Sequence, residues 1–321
     1  MTRTAIVLMN LGGPDSLDAV QPFLANLFSD PAIIGLPGLL RLPLARFVAR
    51  RRAPVARDIY ARLGGRSPLL ANTEAQARAL EAALGPEHRC FVAMRYWHPL
   101  STETARAVAE WAPEEIVCLP LYPQFSTTTT ASSFAAWRLA ASRQGLAAPM
   151  RTIRCYPSEQ GLVEAIAGLV KPVLEAASDS GKPVRLLLTA HGLPKRIVRR
   201  GDPYPDQVEQ TAAALVAALD RPELDWRVCY QSRVGPLEWI GPYTDEEIGQ
   251  AGKDGVALVV APISFVSEHS ETLVELDLDY RRLAEIAGVP SYHRVPTVGV
   301  EPSFIRSLAT LVNRARAGSS A

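Results

Sequence analysis

One histidine follows directly on an apolar run. The run Val184–Ala190 is followed by His191, and Gly192 and Pro194 come next. Gly and Pro here favour a sharp loop over an immediate helix, so the imidazole is expected at the end of a strand. Imidazole titrates near neutral pH and binds divalent metals, which makes His191 a candidate proton acceptor or metal ligand. The alternative is a histidine that is merely hydrogen-bonded.

A second apolar run, Val256–Ile263, leads into a helical pattern that is rich in acidic residues. Carboxylates four residues apart share one helical face, where like charges weaken an isolated helix by about 0.2–0.5 kcal/mol per pair. One interpretation is a solvated acidic face near a helix N-terminus. The other is a row of carboxylates that leads to a histidine and collects divalent cations or passes protons. The three carboxylates at this spacing are Glu271, Glu275 and Asp279, and Glu268 and His269 lie at the start of the same helical pattern.

Motifs of other common chemistries are missing from the sequence. It contains no GxGxxG after an apolar run, no GxxxxGK[ST], no GxSxG and no HExxH. Gly12-Gly13-Pro14 resembles a phosphate loop only loosely, because a third glycine and a lysine are lacking. Nucleotide binding and serine hydrolysis are therefore disfavoured.

Composition indicates a soluble intracellular protein with ample core. Of the 321 residues 48% are hydrophobic, and the formal charge of +1 lacks the basic excess of a general nucleic-acid binder. No apolar run approaches the roughly 18 residues of a membrane-spanning helix, and no signal peptide is recognisable. The cysteines are far apart, which is typical of reduced residues in a cytosolic protein. They are Cys90, Cys118, Cys155 and Cys229.

Short apolar runs alternate with longer amphipathic stretches along the whole chain, which predicts βαβ units and parallel sheets. Seven or eight strands are expected, and we favour two α/β domains over one wide sheet. The divide is placed near Pro149–Ser158, so that the first domain covers residues 1–155 and the second 156–300. A helix over 301–316 is expected to pack back on the first domain.

The segment Ile33–Arg52 departs from this alternation. It is apolar and rich in arginine, and Pro37 and Pro43 interrupt it, which predicts a poor single helix and no strand pair. One interpretation is a hydrophobic surface turn that covers the sheet. The other is an exposed apolar surface segment, here called the lip, that contacts a hydrophobic ligand or a bilayer surface, with its arginines facing anionic groups.

Eight stretches of the sequence, in order and over almost the whole chain, resemble the ferrochelatase family. Any one of these motifs alone would be weak evidence for the family, but eight of them in the same order are specific for it. They are NLGGPDS at Asn10–Ser16, RRRAP and GGRSP within Arg50–Pro68, MRYWHPL at Met94–Leu100, LPLYPQFSTTT at Leu119–Thr129, TAHGLP at Thr189–Pro194, RGDPYP at Arg200–Pro205, QSRVGPLEWIGP at Gln231–Pro242 and SFVSEHSETLVELD at Ser264–Asp277.

The resemblance implies a lyase of haem biosynthesis that inserts Fe²⁺ into a porphyrin and releases two protons. It also implies two Rossmann-like domains, each a parallel sheet flanked by helices, with a cleft between them. His191 and Glu271 match the central pair, with His191 as proton acceptor or iron ligand and Glu271 sharing the metal or the proton. Glu268, His269, Glu275 and Asp279 would extend the metal or proton route toward solvent.

Porphyrin-binding positions also follow from the resemblance. Arg52 and Ser67 would meet the propionates, which a guanidinium can bind bidentately. Aromatic faces at Tyr60, Tyr96 and Trp239 would pack on the macrocycle. Leu8 falls near a position that faces the ring, although it suits a strand core equally well.

Departures from the family pattern refine these expectations. The C-terminal stretch Arg314–Ala321 has no cysteine and Thr127 stands where some relatives carry one, so no iron–sulfur cluster or other permanent cofactor is predicted. Asp15 follows Pro14 where the coproporphyrin-using branch often has a tyrosine, which favours protoporphyrin IX. Three alternatives stay open: a coproporphyrin-using enzyme, a cobalt or nickel tetrapyrrole chelatase, and a non-catalytic haem or porphyrin carrier. A cytoplasmic location is expected, with residues 33–48 as the surface for peripheral contact with the inner membrane face.

Overall fold

The chain of this computed structural model, described over residues 2–179 and 181–318, divides into two units. Unit 1 comprises Met1–Cys155 and Leu308–Ala321, and unit 2 comprises Tyr156–Ser307. Each unit contains a four-stranded parallel sheet among the described residues, and helices flank both sheets. The predicted α/β class is therefore confirmed.

Unit 1 is built around a sheet with the strand order β2, β1, β3, β4. The strand β1 is buried along its whole length, and it pairs in parallel with β2 on one side and β3 on the other. Burial on both faces explains why β1 is an unbroken apolar run without polar alternation. The elements are β1 (Thr4–Asn10), α1 (Val20–Phe28), α2 (Gly38–Arg62), α3 (Leu69–Leu84), β2 (His88–Met94), α4 (Ser101–Trp111), β3 (Glu115–Pro120), α5 (Thr130–Arg143) and β4 (Met150–Thr152).

Most of the apolar segment with the prolines belongs to the 25-residue helix α2, so the expectations of a poor single helix and of a surface turn are both wrong. Pro43 and Pro54 lie inside this helix, where each removes one backbone donor. Tertiary packing outweighs that cost, because Ala45, Ala49 and Ala53 are spaced four residues apart and are all buried. Two of these alanines pack in an apolar cluster with residues of α1, and their helical spacing was the overlooked signal.

The opposite face of α2 is apolar and exposed. Leu39 is 91% exposed, and Leu40 and Phe47 are each 62% exposed. Arg46 and Arg50 on the same helix are exposed as well. This arrangement matches the exposed-lip interpretation, although the lip is helical. Among the described residues no helix is both long enough and apolar enough to span a membrane.

Unit 2 has the sheet order β6, β5, β7, β8, with every pair parallel. Its elements are α6 (Gln160–Ser178), β5 (Val184–His191), α7 (Lys195–Val198), α8 (Tyr204–Leu219), β6 (Asp225–Gln231), α9 (Thr244–Asp254), β7 (Ala257–Pro262), a π-helix (Glu271–Asp279), α10 (Tyr280–Ala287) and β8 (Tyr292–Arg294), followed by α11 (Pro302–Arg316), which continues into unit 1.

The middle of this second sheet is a topological switch point. The chain passes from β5 to β6 on one side and then to β7 on the other. Ligands of open parallel sheets bind beyond the carboxyl ends of the strands at such a point. The two segments that carry the candidate residues leave the sheet there, one at the end of β5 and one after β7.

The acidic helical pattern that follows Val256–Ile263 forms a helix over residues 271–287 that has two parts. Its first nine residues form the π-helix, with wider i→i+5 backbone bonding, and the remaining eight form the α-helix α10. π-Helical turns are rare in proteins, and those that occur are frequently found at functional sites. The residues of this π-helix are therefore candidates for the functional site.

Candidate active site

His191 is the last residue of β5, and its ring orientation is fixed by the adjoining backbone. Its Nδ1 lies 2.6 Å from the carbonyl oxygen of Gly192. A carbonyl can only accept, so Nδ1 carries the hydrogen and donates it. In the neutral ring the lone pair is therefore on Nε2, which lies 3.7 Å from Glu271 Oε1. A base with a defined accepting nitrogen results.

Glu271 opens the π-helix and lies between two imidazoles. Its other oxygen, Oε2, is 3.9 Å from His269 Nε2. The Nδ1 of His269 is anchored 3.2 Å from the carbonyl oxygen of Ser267, so both histidines direct Nε2 toward the same carboxylate. Glu271 can therefore balance a positive charge on either ring.

The environment keeps Glu271 ionised. Burial alone would raise the pKa of its carboxyl, but positive charge on His191, contacts with His269 and the hydroxyl of Ser232 outweigh burial and lower the pKa to about 2. A carboxylate that stays charged at neutral pH stabilises a neighbouring imidazolium. It also offers oxygen ligands to a passing cation.

Glu275, one turn further along the π-helix, has the opposite tendency. Burial and the negative charge of Glu271 raise the pKa of Glu275. Tyr280 donates to Glu275 Oε1 at 3.0 Å, and the backbone N–H of Ser232 donates to the same oxygen at 2.9 Å. Gln231 Nε2 donates to Oε2 at 3.1 Å. Glu275 is thus a buried carboxyl that takes up a proton more readily than Glu271.

Ser232 links the two carboxyls. Its Oγ is 2.5 Å from Glu275 Oε2 and 3.1 Å from Glu271 Oε2. One hydroxyl donates one hydrogen, so both contacts are satisfied together when Glu275 holds a proton and donates it to Oγ. Ser232 has φ +65, a left-handed conformation that is uncommon for residues other than glycine. Such strain clusters at functional sites, which agrees with its place between two acids.

Sequence reasoning missed both Gln231 and Ser232. They follow the run Trp226–Tyr230, and Gln231 pairs with His191 across the sheet. Two polar residues at the end of a strand beside β5 were the signal that could have identified them.

Trp239 supports the histidine from the side. Its ring is buried, and its centroid lies 6.1 Å from that of His191. The indole Nε1 donates to the carbonyl oxygen of Val234 at 3.1 Å, which fixes the ring. An indole held in this way can limit the movement of the imidazole.

Glu268 and Asp279, the remaining acids of the predicted route, differ in their surroundings. Burial would raise the pKa of Glu268, but hydrogen bonds from Thr272 and from the backbone N–H of Thr297, together with the charge of Arg294, lower it. Asp279 ends the π-helix and is exposed. Glu271 and Glu275 both belong to the hydrogen-bonded group that contains Ser232.

The other predicted porphyrin-binding residues all belong to unit 1. Leu8 and Tyr96 are completely buried, and Tyr60 is nearly so. The Tyr96 hydroxyl donates to Asp30 Oδ2 at 2.8 Å, which ties it to the core of that unit. Arg52 is exposed on α2.

Ser67 follows the loop after α2 and is partly buried. Its backbone N–H donates to the carbonyl oxygen of Pro14 at 2.8 Å, and its Oγ accepts from the backbone N–H of Leu69 at 3.3 Å. Gly13 passes directly against the Ser67 side chain, so a Cβ there would collide with it. The two motifs NLGGPDS and GGRSP therefore meet in unit 1.

Among residues 2–179 and 181–318, no group of three or more His, Cys, Asp or Glu side chains is arranged to hold a metal ion. Burial raises the pKa of the thiols of Cys90, Cys118 and Cys229. The thiolate, which is the form that ligates metals, is disfavoured at these three positions.

Comparison with known proteins gives one consistent result. The ferrochelatase family model matches residues 3–316. A ferrochelatase of Caulobacter vibrioides is 55% identical over 315 residues, which cover 97% of this chain and 89% of the relative. One of Phenylobacterium zucineum is 56% identical over 315 residues, with coverages of 96% and 90%.

Among solved structures, SirB from Bacillus subtilis with Fe³⁺ superimposes with a TM-score of 0.57 over 99% of this chain and 97% of SirB. A cobalt complex of the sirohydrochlorin chelatase SirB gives a TM-score of 0.56 over 99% and 95%. At 14% and 12% identity these two structures support the fold alone. The match to the family model and the identity to the two bacterial relatives show that this chain belongs to the ferrochelatase family.

Proposed function

We propose that this chain inserts Fe²⁺ into a porphyrin, the lyase reaction of haem biosynthesis that its family name denotes. The observation that carries the proposal is the pairing of His191 Nε2 with the Glu271 carboxylate at 3.7 Å in a chain of this family. Iron is the substrate here and not a resident cofactor.

The chemistry needs a base, because a free-base porphyrin holds two N–H protons that must leave before iron can enter. His191 is suited to this step, since its Nε2 bears the lone pair while Nδ1 is anchored to Gly192. The proton moves from a pyrrole nitrogen to Nε2, and the N–H bonding pair stays on the ring for the metal. Glu271 stabilises the imidazolium that forms. We favour this role of His191 over iron ligation because the ionised partner stabilises its protonated form.

The acids beyond Glu271 support a path for the released protons or the arriving metal. Glu275 has a raised pKa and shares Ser232 with Glu271, so it accepts a proton more readily than Glu271 does. His269, on the other side of Glu271, and the exposed Asp279 are proposed to extend this path. Each carboxylate on it can carry either a proton or part of a metal's charge.

We propose protoporphyrin IX as the preferred ring, because Asp15 occupies the place of the tyrosine that is common in the coproporphyrin branch. Arg52 and Ser67 are proposed as propionate partners. Leu8, Tyr60, Tyr96 and Trp239 are proposed as ring-facing positions. Since Leu8 and Tyr96 are completely buried, ring contact at these two would require local rearrangement.

The exposed apolar face of α2 supports a proposed peripheral contact with a membrane surface. Leu39, Leu40 and Phe47 would enter the interface, while the arginines of the same helix face anionic headgroups. The absence of disulfides among the four described cysteines fits the cytoplasmic location that we also propose. Sedimentation with anionic vesicles tests the contact: replacing Leu39, Leu40 and Phe47 with Ser should abolish co-sedimentation, and unchanged binding would contradict it.

An anaerobic absorption assay tests the function, with protoporphyrin IX and coproporphyrin measured side by side against Fe²⁺, Co²⁺ and Ni²⁺. We expect the wild type to insert Fe²⁺ into protoporphyrin IX and His191→Ala to lose this activity. Porphyrin binding without metallation would indicate a carrier. Preference for Co²⁺ or Ni²⁺ would indicate a different chelatase, and preference for coproporphyrin would overturn the choice of ring.

A further inference from the structure

Arg294 is a nearly buried arginine at the end of the edge strand β8. Its side chain is 11% exposed, and it pairs in register with Val260 of β7. Its Nε and Nη2 reach the two carboxylate oxygens of Asp277 at 2.8 Å and 2.6 Å, a bidentate fork. Its Nη1 reaches Glu268 Oε1 at 2.5 Å. One guanidinium thus forms ion pairs with two separate carboxylates.

These two acids lie on either side of the candidate catalytic carboxylates in the sequence. Glu268 lies three residues before Glu271, and Asp277 lies two residues after Glu275. Glu268 Oε1 also accepts from the backbone N–H of Thr297 at 2.9 Å, so it is held from a second segment. The resemblance places Glu268 on the metal or proton route, and its carboxylate also forms an ion pair with Arg294.

A π-helix needs such support, because i→i+5 bonding is normally confined to single-turn bulges. The π-helix here extends over nine residues. The fork from Arg294 joins Asp277, in the last turn of this helix, to the neighbouring strand. The contact with Glu268 joins the segment that precedes the helix to the same guanidinium.

We propose that Arg294 is a positioning residue for iron insertion: it clamps the last turn of the π-helix and the segment that precedes this helix to β8, and so holds Glu271 opposite His191. This inference rests on the proposed function. Breaking the clamp displaces Glu271, and a misplacement of about 1 Å in a catalytic group lowers rates by roughly 10²-fold.

The experiment compares Arg294→Met with Arg282→Met, which removes an exposed arginine of the adjacent α10. We expect Arg294→Met to lower kcat/KM for Fe²⁺ by roughly 10²-fold in the folded fraction, with a raised KM for Fe²⁺ and an unchanged Kd for protoporphyrin IX. Arg282→Met should match the wild type. A purely structural role would reduce the amount of folded enzyme and leave the KM for Fe²⁺ of the folded fraction unchanged, and that result would overturn the clamp.

Two further variants keep the proposal testable if Arg294→Met does not fold. Arg294→Lys retains the charge but cannot form the fork, so its kcat/KM for Fe²⁺ should be lowered less than in Arg294→Met. Glu268→Gln should lower it too. Wild-type kinetics in both Arg294→Lys and Glu268→Gln would refute the clamp.

The double variant Arg294→Met/Glu268→Gln decides how Glu268 acts. If the two residues act as one clamp, the double variant is no worse than Arg294→Met alone. If the loss in kcat/KM of the double variant is instead the product of the losses of the two single variants, Glu268 acts independently, on the metal route, and its part in the clamp is contradicted. Should the wild type itself fail to metallate, the proposed function falls. The clamp is then judged by amide hydrogen exchange over residues 271–279, which should be faster in Arg294→Met and, if unchanged, would refute it.

Discussion

Replacing Glu271 with Gln removes one negative charge and keeps the shape of the side chain. Two unit charges about 4 Å apart attract by about 1 kcal/mol in water and by about 4 kcal/mol at an effective dielectric constant near 20. The side chains of His191 and Glu271 are 37% and 25% exposed, so the pair lies between these limits. With every 1.4 kcal/mol worth a factor of ten, loss of the stabilised imidazolium should slow turnover by about 5-fold to about 10³-fold.

The assay is anaerobic metallation of protoporphyrin IX at saturating Fe²⁺, followed by absorption. Glu285→Gln is the matched control, because it removes an exposed carboxylate from the adjacent α10. Its turnover should equal that of the wild type. The porphyrin Kd should be the same in all three proteins, since the lost interaction belongs to proton transfer. Wild-type turnover in Glu271→Gln would refute the electrostatic reasoning.

Three further predictions follow from the same geometry. Folding lowers the pKa of Glu271 from 4.5 to about 2, so the ionised carboxylate stabilises the folded protein above pH 4.5, and this stabilisation is lost as pH falls toward 2. The free energies of unfolding in urea of the wild type and Glu271→Gln should therefore converge as pH falls over that range. A constant difference between them would contradict this. Gly192→Ala places a Cβ 3.2 Å from both Gln231 O and Trp239 Cε3. The substitution should therefore shift the Gly192 carbonyl, which holds His191 Nδ1, and lower kcat. An unchanged kcat would show that this hydrogen bond is dispensable. Iron and sulfide analysis of the purified protein should find no cluster, and stoichiometric sulfide would overturn that expectation.

Much of the fold could be predicted from the sequence, because strands buried on both faces are apolar throughout. The run Thr4–Met9 became β1 in this way. The helix α2 was missed because Pro37 and Pro43 predict interruptions of a helix, whereas the compensating contacts of its alanines arise only from tertiary packing. The strand β8 is three residues long, too short for a periodic signal.

The candidate site was partly predictable. The resemblance paired His191 with Glu271, and the two side chains approach each other to 3.7 Å. The π-helix could not be foreseen, because π-helices are rare and the four-residue spacing of Glu271, Glu275 and Asp279 is also that of one face of an ordinary α-helix. Nor could Ser232, whose left-handed backbone is uncommon for serine and whose role depends on two acids distant in sequence. Arg294 was missed with β8.

The most direct test of the central claim is an experimental structure of the protein with protoporphyrin IX bound. In that structure His191 Nε2 is expected within hydrogen-bond reach, about 3 Å, of a pyrrole nitrogen, with the Glu271 carboxylate beside it. A ring bound with its nitrogens away from Nε2, or with Glu271 turned from the imidazole, would contradict it.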